Sequence, residues 1–208
     1  MKRDIILTGV GGQGLLSLAA VLGEAALRCG LHVKQAEVHG MAQRGGSVQS
    51  HLRISSETIH SDLVEEGSAD LLVSLEPMEA LRHLPYLASD GTIVTAIASV
   101  ENVAPYPDVD AVLDALRACA STHAVDADAL AKEAGSPRST NMVLAGACAQ
   151  FVDMPSASLE EAVRRLFAAK GAGVVDINLK AFRLGLAETQ RRGAGPSVRR
   201  AKGASNAP

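Results

Sequence analysis

The chain has 208 residues, enough for one domain with a sizeable buried core, and a formal charge of −3. Aromatic residues are only 2% of it, with no Trp, so it lacks the stacking rings by which single-stranded nucleic acid is usually held, and nucleic acid is excluded as a partner. The last 18 residues carry Arg191, Arg192, Arg199, Arg200 and Lys202 without an acid; setting those five cations aside leaves the body at −8, which argues against a polyanion-binding face.

The opening MKRDIILTGV has too short an apolar run for a signal peptide, and no window approaches about 18 uninterrupted apolar residues. A soluble, cytoplasmic protein without membrane contact is expected. Residues 4–8 form the short apolar run of a strand buried on both faces. After the glycines, Leu15 to Arg28 reads as a helix that Gly30 is placed to end, and a second strand runs from Val33 to Val38. Strand, helix and strand together predict a right-handed crossover unit of a doubly wound fold.

Further strands are predicted at SVQSHLRIS (47–55), at DLLVSLEP from Asp70, with Pro77 in the first turn of the next helix, and at GTIVTAIAS from Gly91. Asp108 is placed to cap a helix whose apolar face is Val109, Val112, Leu113 and Leu116, and THAVDADAL reads as a strand ending at a helix cap. Beyond residue 138 the pattern is helical. Asn141 to Phe151 is apolar nearly all round and predicts a buried helix. Ser158 with Glu161 has capping-box spacing; Leu159, Ala162, Val163, Leu166 and Phe167 then share one face, and Glu160–Arg164 and Glu161–Arg165 are spaced as ion pairs. Gly171 stops this helix, and a last one runs from about Val174 to Arg191.

The predicted fold is therefore α/β: Rossmann-like and doubly wound, with a mostly parallel sheet and a C-terminal helical section. One domain over residues 1–190 is expected, followed by a disordered basic tail over 191–208, rich in Gly, Ala, Ser and Pro. Cys29, Cys119 and Cys148 are widely separated and form no CxxC pair, so this chain alone assembles neither an iron–sulfur cluster nor a structural zinc site. Three reduced, mostly buried thiols in helices fit a cytosolic protein.

Gly9, Gly11 and Gly14 satisfy GxGxxG between a strand and a helix, where the helix N-terminus favours an anion. Glu37, about 23 residues after Gly14, stands where an acid binds a ribose hydroxyl. Alone, these features describe a nicotinamide or flavin enzyme. Gly12 adds a fourth glycine, however, and Gln13 puts a large polar side chain where the loop enters the helix. A second reading therefore stands beside the first, in which the glycines serve only a sharp turn and close helix–strand packing.

EVHGMAQRGGSVQSHLR places Glu37 and His39 at the carboxyl end of a parallel strand, the edge where open sheets bind ligands, and follows them with Gln43, Arg44, Gly45 and Gly46. Either the guanidinium and the exposed amides face an anion, a carbonyl or a partner's backbone, or the segment is a tight hairpin into the strand at Ser47 with Arg44 solvated. No carboxylate or nucleophile is spaced to make a triad with His39, which reads as a structural or interface histidine. His39 and His51 lack a third ligand at metal spacing.

GVGGQGLLSLAAVLGEAAL and EVHGMAQRGGSVQSHLRI together closely resemble the gamma-type subunit of the 2-oxoacid:ferredoxin oxidoreductases, with the indolepyruvate type nearest. The likeness continues through STNMVLAGACAQF and SLEEAVRRLFAAKGAGVVDINLKAFRLGLA, so it covers about residues 1–188. The resemblance implies membership of a complex that decarboxylates a 2-oxoacid on thiamine diphosphate, transfers the acyl group to coenzyme A and passes two electrons through 4Fe-4S clusters to ferredoxin. It also implies that thiamine, Mg and clusters belong to a large alpha subunit, that this chain binds none of them, and that it is inactive alone.

Carried over by residue, the resemblance covers Gly9, Gly11, Gly12, Gln13 and Gly14 as an anion or interface loop. It also covers Glu37, His39, Gly40, Gln43, Arg44, Gly45, Gly46, Ser47 and Asn141 on the substrate or interface side, and implies no catalytic base or nucleophile among them. The chain contains no GDG-to-Asn diphosphate motif, which agrees with that division of labour.

Overall fold

The computed structural model describes residues 1–39, 45–101 and 105–193. Among them the chain forms six strands and seven α-helices: β1 (Lys2–Val10), α1 (Leu15–Arg28), β2 (His32–His39), β3 (Ser47–Ser55), β4 (Ala69–Ser74), α2 (Pro77–Arg82), β5 (Leu87–Ala96), α3 (Val109–Cys119), β6 (Ser121–Val125), α4 (Ala127–Ala134), α5 (Thr140–Cys148), α6 (Ser156–Phe167) and α7 (Ala172–Gly193). Residues from 194 onward, which hold most of the expected basic tail, lie outside the described residues.

The strands make one sheet in the order β2-β3-β1-β4-β5-β6. β1, β4, β5 and β6 pair in parallel, and β3 is antiparallel to both of its neighbours. The α/β architecture with a mostly parallel sheet agrees with the sequence reading. Period-2 alternation divides the core: Ile5, Leu7, Leu52, Ile54, Leu71 and Val73 face α1 and the C-terminal helices, while Ile6, Leu72 and Ile93 face α2 and α3. The continuous apolar runs of β1 and β4 are therefore explained by burial on both faces. α1 contributes Leu15, Leu18, Ala19, Leu22, Ala25 and Ala26 to the core, at helical spacing. No helix among the described residues is long and apolar enough to cross a membrane.

Four sequence expectations are corrected. β2 does not lie beside β1 as a simple crossover unit implies, and its only strand partner among the described residues is antiparallel β3, which occupies the place between them. The physical reason is polarity. β2 exposes His32, Lys34, Gln35 and Val38 and suits a sheet edge, whereas β3 presents Val48, Leu52 and Ile54 to the core. The capping box does not form: α6 begins at Ser156 behind Pro155, so Ser158 is already inside the first turn, and its hydroxyl meets Cys29 Sγ at 3.5 Å instead. Leu166 is exposed on α6, while Leu159, Ala162, Val163 and Phe167 of its predicted face are buried. Finally, Cys148 is buried but Cys29 and Cys119 are exposed, and Cys29 lies just past the end of α1.

Candidate functional site

The carboxyl ends of β1, β2 and β4 bring the two glycine-rich segments together. β1 ends in Gly9 and Val10, whose partners across the sheet are Val48 and Ser47. Gly9 has no room for a side chain, since a Cβ there would stand 2.9 Å from Gln13 Oε1 and 3.0 Å from Leu75 Cβ. The loop then turns through Gly14, whose φ of 86° is left-handed, into α1.

Gln13, the residue that departs from the dinucleotide pattern, folds back over the loop. Its Oε1 accepts the Val10 N–H at 2.7 Å and its Nε2 donates to the Leu75 carbonyl at 3.0 Å. One amide thus ties the glycine loop to itself and to the end of β4. Asn141, buried at the start of α5, donates from Nδ2 to the Gly14 carbonyl at 3.0 Å. A residue 127 positions away therefore closes the turn.

The second segment is clipped to the first by two backbone bonds. Gly11 N–H donates to the Gly46 carbonyl at 2.8 Å, and Gly45 N–H donates to the Gly11 carbonyl at 3.2 Å. Ser47 follows as the first residue of β3, and its hydroxyl donates to Glu79 Oε2. Gly40, Gln43 and Arg44 lie outside the described residues. The His39 backbone stands opposite Val48 at the end of β2, an edge strand that runs in the same direction as β1 but pairs with antiparallel β3.

Between the two segments opens a pocket of about 510 Å³, walled by Gly11, Gly12, Gly14, Leu16, Glu37 and Val48 among others. The first turn of α1 supplies one wall, where backbone amides and the helix dipole favour negative charge. Glu37 supplies an acceptor carboxylate on another and is the one ionisable side chain among the pocket's described lining residues. This pairing suits a ligand that carries an anionic group and a hydroxyl or amine; it offers no paired acid and base for covalent chemistry.

Beneath this edge lie groups that sequence reasoning missed. Glu76 and Glu79 are buried at the start of α2. Glu76 Oε2 accepts the Glu79 N–H at 2.9 Å as a helix cap, and Glu76 Oε1 accepts from the Tyr106 hydroxyl. Burial, with the Glu76 carboxylate beside it, pushes the Tyr106 pKa well above its ordinary value. Glu79 also faces Arg82 Nε at 3.4 Å. Pro77 marked the helix start in the sequence, but glutamate is an uncommon N-cap, so LEPME carried no strong signal. Among the described residues no three His, Cys, Asp or Glu side chains gather as a metal-ligating group.

Residues 4–188 match the family model described as pyruvate ferredoxin/flavodoxin oxidoreductase. The indolepyruvate oxidoreductase subunit IorB of Archaeoglobus fulgidus is 38% identical over 194 residues, covering 89% of this chain and 94% of that protein. The IorB subunit of Pyrococcus horikoshii is 41% identical over 194 residues, covering 89% and 95%. Among solved structures, a 2-oxoglutarate:ferredoxin oxidoreductase from Magnetococcus marinus, with 2-oxoglutarate, coenzyme A and succinyl-CoA bound, superposes with a TM-score of 0.75 at 23% identity, over 91% of this chain and 31% of that longer one. The gamma subunit of a keto/oxoacid ferredoxin oxidoreductase from Geobacter sulfurreducens superposes with a TM-score of 0.67 at 24% identity, over 91% and 99%. These two likenesses establish the shared fold.

Proposed function

The chain belongs to the pyruvate ferredoxin/flavodoxin oxidoreductase family and is homologous to IorB subunits, and from that premise we propose that it is the small subunit of an indolepyruvate ferredoxin oxidoreductase. The complex would oxidatively decarboxylate an aryl 2-oxoacid with coenzyme A, giving CO₂ and an acyl-CoA and sending two electrons to ferredoxin. The observation that carries this reading is likeness to IorB proteins along nearly the whole length of both chains. A ketoisovalerate oxidoreductase subunit of Methanothermobacter marburgensis is 28% identical over 86% of this chain, so a different 2-oxoacid is the second reading.

In this proposal residues 1–190 act as one domain of a cytoplasmic complex. Thiamine diphosphate, magnesium and 4Fe-4S clusters would supply carbanion and electron-transfer chemistry from a large alpha subunit. The work of this chain is to bind and orient. The α1 end of the pocket would receive an anionic group of the substrate or of coenzyme A, Glu37 would accept a hydrogen bond from a hydroxyl or amine of the same ligand, and exposed Leu16 would pack on the partner at the pocket mouth. Gln13 supports this reading over a stand-alone nicotinamide dehydrogenase, because its side chain already takes the Val10 amide and fills the bend of the loop.

The test is co-expression with a large subunit bearing thiamine and cluster motifs. A stable complex is expected that reduces ferredoxin with indolepyruvate and coenzyme A faster than with pyruvate or 2-oxoglutarate, while the small chain alone is inactive. A chain that stays apart from every such partner refutes the proposal; a complex that prefers another oxoacid supports the second reading.

A further inference from the structure

Residues 75–79 touch three loops at the carboxyl edge of the sheet. Leu75 anchors the first: its N–H donates to the Thr8 carbonyl at 2.9 Å, and its own carbonyl accepts from Gln13 of the glycine loop at 3.0 Å. Glu76 anchors the connection between β5 and α3, with Oε1 accepting from the Tyr106 hydroxyl and, at 3.5 Å, from the Val100 N–H. Glu79 anchors the return of the second glycine segment by accepting the Ser47 hydroxyl. Both carboxylates are almost fully buried, at 1% and 4% exposure, so each is held where its hydrogen bonds are strong and costly to break.

Ser47 has a particular position in the chain. It directly follows Gly46, whose carbonyl takes the Gly11 N–H, and Gly45, whose N–H returns to Gly11. Holding the Ser47 side chain therefore fixes where the Gly45–Gly46 backbone lies, and through it where Gly11 and the pocket wall lie. We infer that Glu79 is a positioning residue for the glycine-loop pocket, acting through Ser47 and the Gly11 clip without touching the ligand. Its kinetic consequence rests on the functional reading above; its structural consequence does not.

The chain alone gives the first test, by residue-resolved amide hydrogen exchange. Glu79→Ala is expected to raise exchange at Gly11 and Gly45 about tenfold or more, as loss of one charge-assisted hydrogen bond implies. Glu79→Gln, which keeps an acceptor for Ser47, is expected to restore most of the protection. Glu76→Gln is expected to act on Val100 and leave Gly11 alone. In the assembled complex, Glu79→Ala is expected to raise KM for the 2-oxoacid or coenzyme A about tenfold with kcat within about twofold.

Unchanged exchange at Gly11 in folded Glu79→Ala overturns the inference, as does a uniform rise across all amides or a failure of Glu79→Gln to rescue. A fall in kcat with both KM values unchanged overturns it as well. If Glu79→Ala does not fold, Ser47→Ala removes the same bond from a less buried residue and takes the same readouts. Failure of the wild-type chain to assemble refutes the proposed function and leaves the exchange result standing.

Discussion

Two demands meet at Gly14. Its backbone is left-handed, at φ 86°, and a Cβ would stand 2.6 Å from Asn141 Nδ2, the group that caps its carbonyl. Gly14→Ala is therefore expected to lower the unfolding free energy by about 2 kcal/mol, read from urea denaturation, because strain and a displaced hydrogen bond add. His51 carries a different prediction. Its Nδ1 accepts the Val64 N–H at 3.0 Å, which places the proton of the neutral ring on Nε2. Burial, and then the nearby His83, hold its pKa below the ordinary value, while Asp62 pulls the other way. The unfolded chain takes up this proton near about pH 6.5 and the folded chain only at lower pH, so stability is expected to fall as pH drops below about 6.5. A Tm series from pH 8 to pH 5 should show that slope flattened in His51→Gln; an identical slope in both proteins counts against it. At this scale the sequence exposed Gln13 as an oddity in a Rossmann-like loop, and did not reveal what it holds. Its Oε1 serves nearby Val10, but its Nε2 serves Leu75, 62 residues away, and no local pattern encodes that distance.

The helices and strands themselves were the most legible part. Burial on both faces leaves uninterrupted apolar runs in β1 and β4, and Asp108 and Asp126 accept N–H groups three residues on, as caps do. What escaped was the order of pairing, because β2 and β3 both look like strands and only the competition for α1's apolar face puts β3 inside. The capping box at Ser158 failed for a related reason: Pro155 starts the helix earlier than the Ser–Glu spacing suggests. The crossing of α5 and α7 was also invisible in sequence. A Cβ at Gly146 would stand 1.8 Å from the Phe182 carbonyl oxygen, and one at Gly185 would stand 1.9 Å from that of Val143. The two backbones touch, which makes α5, every residue of which from Asn141 to Cys148 is buried, the central support beneath the glycine loop. Gly146→Ala is expected to cost about 3 kcal/mol through forced separation of the helices, seen as a large fall in Tm, whereas Gly173→Ala, which meets nothing within 4 Å, should change Tm little.

Over the whole molecule, one edge of the sheet collects the glycine loop, Glu37, Ser47 and the α2 carboxylates, and leaves Leu16 59% exposed beside them. If this edge meets the large subunit, Leu16→Asp should weaken assembly about tenfold or more while leaving Tm nearly unchanged, since an acid in the first turn of a helix is favourable and the side chain is already in water. Assembly at wild-type affinity would place the partner elsewhere. Taken by itself, the sequence determined the class of fold, the span of most elements, and, through two motifs at the right spacing, the family. Those properties follow from hydrophobic periodicity, caps and glycine turns, which act over a few residues. Tertiary structure alone decided that β3 separates β1 from β2, that Asn141 and Gln13 hold the glycine loop from two sides, and that buried Glu79 reaches Ser47. Each of these joins groups more than 30 positions apart, or sets two segments in competition for one apolar surface, and such choices are made only when the whole core closes.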